Sequence, residues 1–326
     1  MKIKVGIIGF GLIGKKRLNA LRKISNVIAV SDVNESMLQS KELNKLIKKK
    51  SWKDLVDIPD LDLVVICTLH DSLSEICIYA ANRGKHILVE KPAGRNVIEL
   101  KAIKKAIDKN KTFIHVGFNH RYHPAFLKAN DIINSGKIGD LMFIRARYGH
   151  GGRLGYESEW RANKLKSGGG ELIDQGVHLI DLAQMYLGEF KEIEGYLNTY
   201  FWDMSVEDNA FMTLRNSNNN VAFLHASCTE WKNTFSFEIF GQNGKILIDG
   251  LGGSYGIEKI TLYKMLPEMG PPLTESWEFP FPDMSWEAEC KLVIKNIKAN
   301  IKSESDIDNA ISVMKVVEKL YKENKL

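Results

Sequence analysis

The chain has 326 residues, 44% of them hydrophobic, and a net charge of +5 carried by dispersed lysines and glutamates. That length exceeds what one core usually supports, so two domains are expected, and so mild a charge gives no sign of a nucleic-acid partner. The four cysteines, Cys67, Cys77, Cys228 and Cys290, have the spacing of neither a disulfide framework nor a zinc site, and no metal is expected.

A strand pattern begins almost at the first residue, so no leader peptide is expected. No apolar run reaches the ~18 residues of a membrane span, so a soluble cytoplasmic protein is expected. Val5-Gly6-Ile7-Ile8 reads as a buried strand. The loop Gly9-Phe10-Gly11-Leu12-Ile13-Gly14 follows, then a helical stretch with Leu18 and Leu21. A G-x-G-x-x-G loop between strand and helix gives a tight turn, close approach of the backbone to a pyrophosphate, and free N–H groups at the helix start. A second strand, Ile28-Ala29-Val30-Ser31, ends at Asp32, 23 residues after Gly9. A carboxylate there accepts hydrogen bonds from ribose hydroxyls. Val33-Asn34-Glu35 offers no Arg or Lys to a 2′-phosphate, so NAD is expected over NADP.

Residues 34–46 read as a helix, 61–67 as a central strand, 73–81 as a helix and 86–89 as a strand ending at Glu90-Lys91-Pro92. A helix over 96–108 and a strand over 112–116 complete the alternation, which implies a doubly wound parallel sheet. Ligands bind outside the strand C-terminal ends of such sheets, where Asp32, Thr68, Glu90, Lys91 and Asn119 fall. The pattern changes after about residue 118. A helix over 121–134, a strand over 141–148, a Gly-rich basic loop over 149–170 and a helix over 171–187 lead into strands over 195–201, 210–214, 221–227, 235–240 and 245–248. Short turns between them imply antiparallel pairing. Residues 265–282 hold five of the eight prolines and read as an extended connection, followed by two helices. The expected fold is α/β: a doubly wound parallel (Rossmann) domain over 1–118, then an α+β domain over 119–326 on an open, mostly antiparallel sheet. The final helix, about 305–323, is able to pack back on the first domain.

Lys91 is either a surface lysine or, at the ligand edge of a parallel sheet and before a proline able to be cis, a catalytic group. Asp174, His178 and Asp181 recur at i, i+4 and i+7 on an otherwise apolar helix. Buried polar groups need partners, so the stripe is an internal hydrogen-bond network, a site wall or a metal site, the last lacking a second His or Cys at ligand spacing. The triplet Gly168-Gly169-Gly170 before it implies a close backbone approach to a ligand or to other protein. Arg145, Arg147, Arg153, Arg161, Lys164 and Lys166 are opposed locally only by Glu157 and Glu159, with Tyr148, Tyr156 and Trp160 interleaved. Arginines bind phosphate and carboxylate bidentately, so this loop reads as an anion-binding wall, or else as a solvated basic loop that closes over the NAD pyrophosphate or simply faces water.

Four pieces, Gly9–Gly14, Glu90-Lys91-Pro92, Gly117-Phe118-Asn119-His120-Arg121 and the 168–181 stretch, occur in order along the whole chain. Together they resemble the glucose-fructose oxidoreductase and inositol dehydrogenase family, Gfo/Idh/MocA. The resemblance implies a Rossmann domain, a C-terminal sheet that packs on a partner subunit, and NAD(P)-dependent redox chemistry on sugars or cyclitols. It implies Lys91, Asp174 and His178 as the catalytic set. His120 departs mildly from the Arg-Arg or Arg-Tyr often found there. Substrate contacts are expected from Lys91, Arg121, Tyr148, Arg153, Trp160, Arg161, Asp174 and His178. Cofactor contacts are expected from Gly9, Phe10, Gly11, Leu12, Ile13, Gly14, Asp32, Thr68, Glu90, Lys91 and Asn119. The expected activity is hydride transfer between NAD and a secondary alcohol or ketone of a nucleotide-linked sugar or sugar acid. The alternatives are an inositol or free-sugar dehydrogenase, or an NAD-retaining glycosidase. A homodimer or homotetramer through the C-terminal sheet is expected.

Overall fold

Six short strands rich in Val, Ile and Leu build the first sheet: β1 (Lys4–Ile8), β2 (Asn26–Ser31), β3 (Ile47–Lys49), β4 (Leu63–Ile66), β5 (His86–Glu90) and β6 (Ile114–Gly117). The protein is seen in a computed structural model that describes residues 2–325. All six strands are parallel, in the order β3-β2-β1-β4-β5-β6. Every side chain of β4 is buried, as a sheet covered on both faces by helices requires. The core joins Val5, Ile7, Val30, Leu63 and Val65 to Leu18 and Leu21 of the helix Leu12–Leu21 and to Val293 and Ile294 of the helix Ser285–Ala299. The chain forms two compact units. One is the segment through Phe118 with Trp286–Ile311; the other is Asn119–Ser285 with the residues from Ser312 onward.

The helix expected over 34–46 is absent. Asn34 caps only the single turn Glu35–Leu38, accepting the Ser36 N–H at 3.0 Å, and a second turn follows at Lys41–Leu43. The chain then adds β3 and the helix Trp52–Val56. Neither run is long enough to show a period, and β3 is set by its backbone pairing with β2.

The second unit carries an eight-stranded sheet: β7 (Leu141–Gly149), β8 (Phe190–Asn198), β9 (Asn209–Asn216), β10 (Val221–Ser227), β11 (Thr234–Gly241), β12 (Gly244–Asp249), β13 (Glu258–Lys264) and β14 (Leu273–Phe279). Its order is β14-β13-β12-β11-β7-β10-β9-β8, antiparallel except where β7 meets β10. Strict alternation sends Ile144, Ala146, Tyr148, Leu224, Ala226, Phe235, Phe237 and Ile239 inward. The strand expected over 195–201 stops at Asn198. There the Asp208 carboxylate accepts the N–H groups of Tyr200, Phe201 and Trp202, bending the chain away. The segment expected as an extended connection contributes β14, an edge strand with mostly exposed side chains. Among the described residues no helix is long and apolar enough to cross a membrane.

Candidate active site

The glycine loop is shaped by contacts that only glycine permits. Gly9 sits at φ +85°, and a Cβ on it would come within 2.7 Å of the Cys67 carbonyl oxygen; a Cβ on Gly14 would strike the Gly9 oxygen. Gly11 differs, since a Cβ there would meet nothing within 4 Å. The second glycine therefore faces open space at the start of the helix Leu12–Leu21, whose first turn carries N–H groups without helical partners. Asp32 locks the loop from the end of β2. Its Oδ2 accepts the Phe10 N–H at 2.6 Å and its Oδ1 the Asn34 N–H at 2.8 Å. Its remaining lone pairs are the acceptors a ribose diol needs.

The other residues expected at strand ends have diverse surroundings. Thr68 Oγ1 accepts the Ser72 hydroxyl at 2.8 Å beside the helix His70–Asn82. Glu90 turns inward, its Oε1 accepting Arg17 Nε at 2.7 Å. Lys91, half-buried, follows in a turn closed by the Ala93 N–H on the Glu90 carbonyl at 3.0 Å, and the Lys91–Pro92 bond is cis. Asn119 belongs to the second unit, where its side-chain amide donates to Ser285 Oγ at 2.8 Å.

In the second unit the 171–187 stretch is helical throughout, but its first part, Leu172–Gly176, is wound as a π-helix before the α-helix Val177–Leu187. Asp174, His178 and Asp181 are each buried, and each has its own partner. Asp174 Oδ2 accepts Arg161 Nε at 2.8 Å. The His178 ring stacks on His120, with centroids 3.8 Å apart and planes 15° apart. Asp181 takes a two-pronged ion pair from Arg121, Nε to Oδ2 at 2.7 Å and NH2 to Oδ1 at 2.5 Å. Arg121, expected at the substrate, is thus a buried partner of Asp181. Tyr148 stands edge-on to His178 at 6.2 Å and to Tyr255 at 5.0 Å. Burial, then Tyr255, pushes the Tyr148 hydroxyl well above the usual phenol range, so it remains a neutral donor. Trp160 lies under the Arg161 guanidinium at 4.6 Å. Burial works against the Arg161 charge, and Asp174, with Tyr156 and Glu159, more than restores it.

The structure explains the glycine triplet without a ligand. A Cβ on Gly169 would strike the Tyr321 hydroxyl, and one on Gly170 the Glu207 backbone. Glu207 caps the π-helical start: its Oε1 accepts the Gly170 and Leu172 N–H groups at 3.0 Å each and the Tyr321 hydroxyl at 2.8 Å. Burial raises its carboxyl to about 7 against these hydrogen bonds. The basic loop is also altered by its partners. Arg153 pairs with Glu159, Arg161 with Asp174 and Glu159, and Arg145 with Glu238. Sequence reasoning missed Glu207 and Tyr255; His150, in the turn 150–153, has its Nε2 3.4 Å from Glu171. The signal for Glu207 was an acidic pair, Glu207-Asp208, at the entry to an apolar strand. Among the described residues no group of three His, Cys, Asp or Glu side chains is arranged to hold a metal ion.

This geometry has close counterparts. The profile of an oxidoreductase family with an NAD-binding Rossmann fold matches residues 3–118, and that of the GFO/IDH/MocA C-terminal domain matches residues 126–247. The chain belongs to the GFO/IDH/MocA family. It is an NAD-dependent oxidoreductase, and the open second glycine and the Asp32 carboxylate fit the dinucleotide that its Rossmann domain binds. Levoglucosan dehydrogenase of Pseudarthrobacter phenanthrenivorans is 28% identical over 287 residues, covering 76% of this chain and 73% of that one. Myo-inositol 2-dehydrogenase of Thermotoga maritima is 28% identical over 268 residues, covering 76% of each. In fold, a levoglucosan dehydrogenase in complex with NADH and levoglucosan superposes with a TM-score of 0.89 at 22% identity, covering 100% of this chain and 98% of that one. An aldose-aldose oxidoreductase from Caulobacter crescentus complexed with glycerol gives 0.85 at 20% identity, with the same coverage of both chains.

Proposed function

We propose that this GFO/IDH/MocA protein interconverts a secondary alcohol and a ketone on a neutral polyhydroxylated ring, a cyclitol or a free or anhydro sugar. The observation that carries this reading is the pairing of the loop arginines. Arg145, Arg153 and Arg161 each meet a carboxylate within 2.8 Å. Each charge is matched by a carboxylate of the protein, Arg145 and Arg153 at the exposed surface and Arg161 on Asp174, which weakens the argument from basic residues to a nucleotide-linked or acidic sugar. The relatives named for levoglucosan and myo-inositol favour the same neutral class. Hydroxyl-rich rings are recognised by donors and acceptors with an apolar face to stack on, and His178, Tyr148, Tyr255 and Asp174 supply that mixture.

Bound NAD supplies the hydride chemistry. Lys91 and His178 handle the proton: one takes it from the hydroxyl while the other hydrogen-bonds the oxygen as alkoxide charge develops. Stacking on His120 fixes the plane of the His178 ring. Asp174, tied to Arg161, accepts a neighbouring substrate hydroxyl. The test is a panel of cyclitols, hexoses, anhydro sugars, sugar acids and nucleotide-sugars followed at the nicotinamide absorbance. Turnover of a neutral ring is expected. Turnover confined to anionic sugars would refute the proposal.

The outer face of the eight-stranded sheet supports a second proposal, a dimer or dimer of dimers. Register places Tyr196, Phe211, His225 and Arg147 in one row across it, and Phe223, Arg145 and Glu238 in the next. Tyr196 is 74% exposed and Phe223 50%. An aromatic face of this kind is uncommon on a monomer. Sedimentation should give at least twice the chain mass, and Phe223→Glu should halve it; a monomer at micromolar concentration would refute the dimer.

A further inference from the structure

The first unit buries a charged cluster that the roles above do not use. Arg17, one turn into the helix Leu12–Leu21, is completely buried. Its Nε donates to Glu90 Oε1 at 2.7 Å, and its NH1 donates to Glu289 Oε2. The Trp286 ring lies 4.6 Å from the guanidinium. Glu289, also completely buried, sits on the helix Ser285–Ala299. Its Oε1 is 3.1 Å from His115 Nε2, and His115 Nδ1 is 2.7 Å from Ser303 Oγ. Ser303 Oγ accepts the Ser305 N–H at 3.0 Å. A consistent donor order follows: the serine hydroxyl donates to Nδ1, and Nε2–H donates to Glu289. The cluster is fitted closely. A Cβ on Gly117, at the end of β6, would come within 2.8 Å of Arg17 NH2 and 3.2 Å of Glu90 Oε2.

Buried ion pairs add little net stability, because desolvation offsets attraction. What this one does add is a fixed position for Glu90, the residue bonded to Lys91, whose carbonyl also closes the Lys91 turn by accepting the Ala93 N–H. We infer that Glu289 is a positioning residue for Lys91, acting through Arg17 and Glu90. The cluster holds the end of β5 in one register, so that the lysine is presented in one place rather than several. This rests on the reading of Lys91 as a group that touches substrate.

The test uses the full chain with NAD and myo-inositol or levoglucosan. Glu289→Gln keeps the shape and removes the charge. It should lower kcat ~10–100-fold while KM and NAD affinity stay within ~2-fold, the pattern of a misplaced reacting group. Independently of activity, the side-chain NMR signal of Lys91, identified by its loss in Lys91→Arg, should shift or broaden in Glu289→Gln while the other lysine signals hold. Should Glu289→Gln fail to fold, Ser303→Ala tests the outer end of the chain, and should move the same signal by less. An unmoved Lys91 signal with normal kcat would overturn the inference. So would a kcat loss that merely accompanies general loss of thermal stability and NAD binding. If Lys91→Ala itself turned over normally, the catalytic reading of Lys91 would fall, while the NMR result would still decide whether the cluster holds that lysine.

Discussion

Glu207→Gln gives the sharpest test of how the helix bearing Asp174 and His178 is held. In the native protein the buried Glu207 carboxyl is raised to about 7 from the ordinary 4.5. A carboxyl whose pKa is higher folded than unfolded favours the folded state in its protonated form. Its contribution is therefore fully present below the unfolded value and is lost as pH rises through the folded one. The gap between 4.5 and about 7 corresponds to roughly 3 kcal/mol across that window. Glutamine does not titrate, and its carbonyl oxygen can accept the same Gly170, Leu172 and Tyr321 hydrogen bonds. Native stability should thus fall relative to the variant by roughly 3 kcal/mol between about pH 4.5 and about pH 7.5. Urea unfolding of both proteins across this range measures it. Other titrating groups, such as His150, occur in both proteins and cancel in the comparison. Parallel stability curves would show that Glu207 is ionised throughout, and would refute the argument that burial outweighs its three donors.

The remaining expectations concern activity. Lys91→Ala and His178→Ala should each lower kcat by at least ~10²-fold with little change in NAD affinity, and their pH–rate profiles should show which residue takes the proton. Asp32→Ala should raise KM for NAD ~10-fold or more, the scale of a lost hydrogen bond to a charged group, and narrow the preference over NADP; a native enzyme favouring NADP would refute the role of Asp32. Arg161→Ala removes the partner of Asp174 and should lower kcat/KM on a neutral polyol ~10-fold or more, while Arg153→Ala, an exposed residue paired only within its loop, should stay within ~2-fold. Equal losses from the two on an anionic substrate would restore the anion-binding reading.

The first sheet and its ligand edge were legible because their signals are local. β4 is one apolar run, the glycine loop is six consecutive residues, and Asp32 lies one strand further on. In the second sheet β7 to β12 were legible as strands and turns, but not in their pairing, and β13 was not expected. β7 precedes the helix Val177–Leu187 in the chain, yet lies between β10 and β11 and runs parallel to β10. Adjacent-strand reasoning has no access to such an insertion, since the choice is made by packing of whole elements. β14 escaped notice for a different reason: an edge strand buries little, so its side chains carry no alternating pattern.

The site divides along the same line. Asp174 and His178 stood out because polar residues interrupt an apolar helix, and that contrast is visible within two turns. Their partners are set by the fold. Arg161 reaches Asp174 from 13 residues away and Arg121 reaches Asp181 from 60. Arg145 reaches Glu238 from 93. A charge count over 145–166 sees only Glu157 and Glu159, so it reports six basic residues facing an anion that is not covalently near. Once the chain folds, Glu238 and Asp174 supply part of that anion. Local excess charge is therefore weak grounds for an anionic ligand wherever the segment lies against a sheet, because cross-strand and helix-borne carboxylates cancel it at no cost visible in the sequence. A buried arginine on an apolar helical stripe is the more informative signal. Arg17 stands among Gly14, Leu18 and Leu21, all buried, and a cation there must find carboxylates in the interior. It finds Glu90 and Glu289, and with them the turn that presents Lys91.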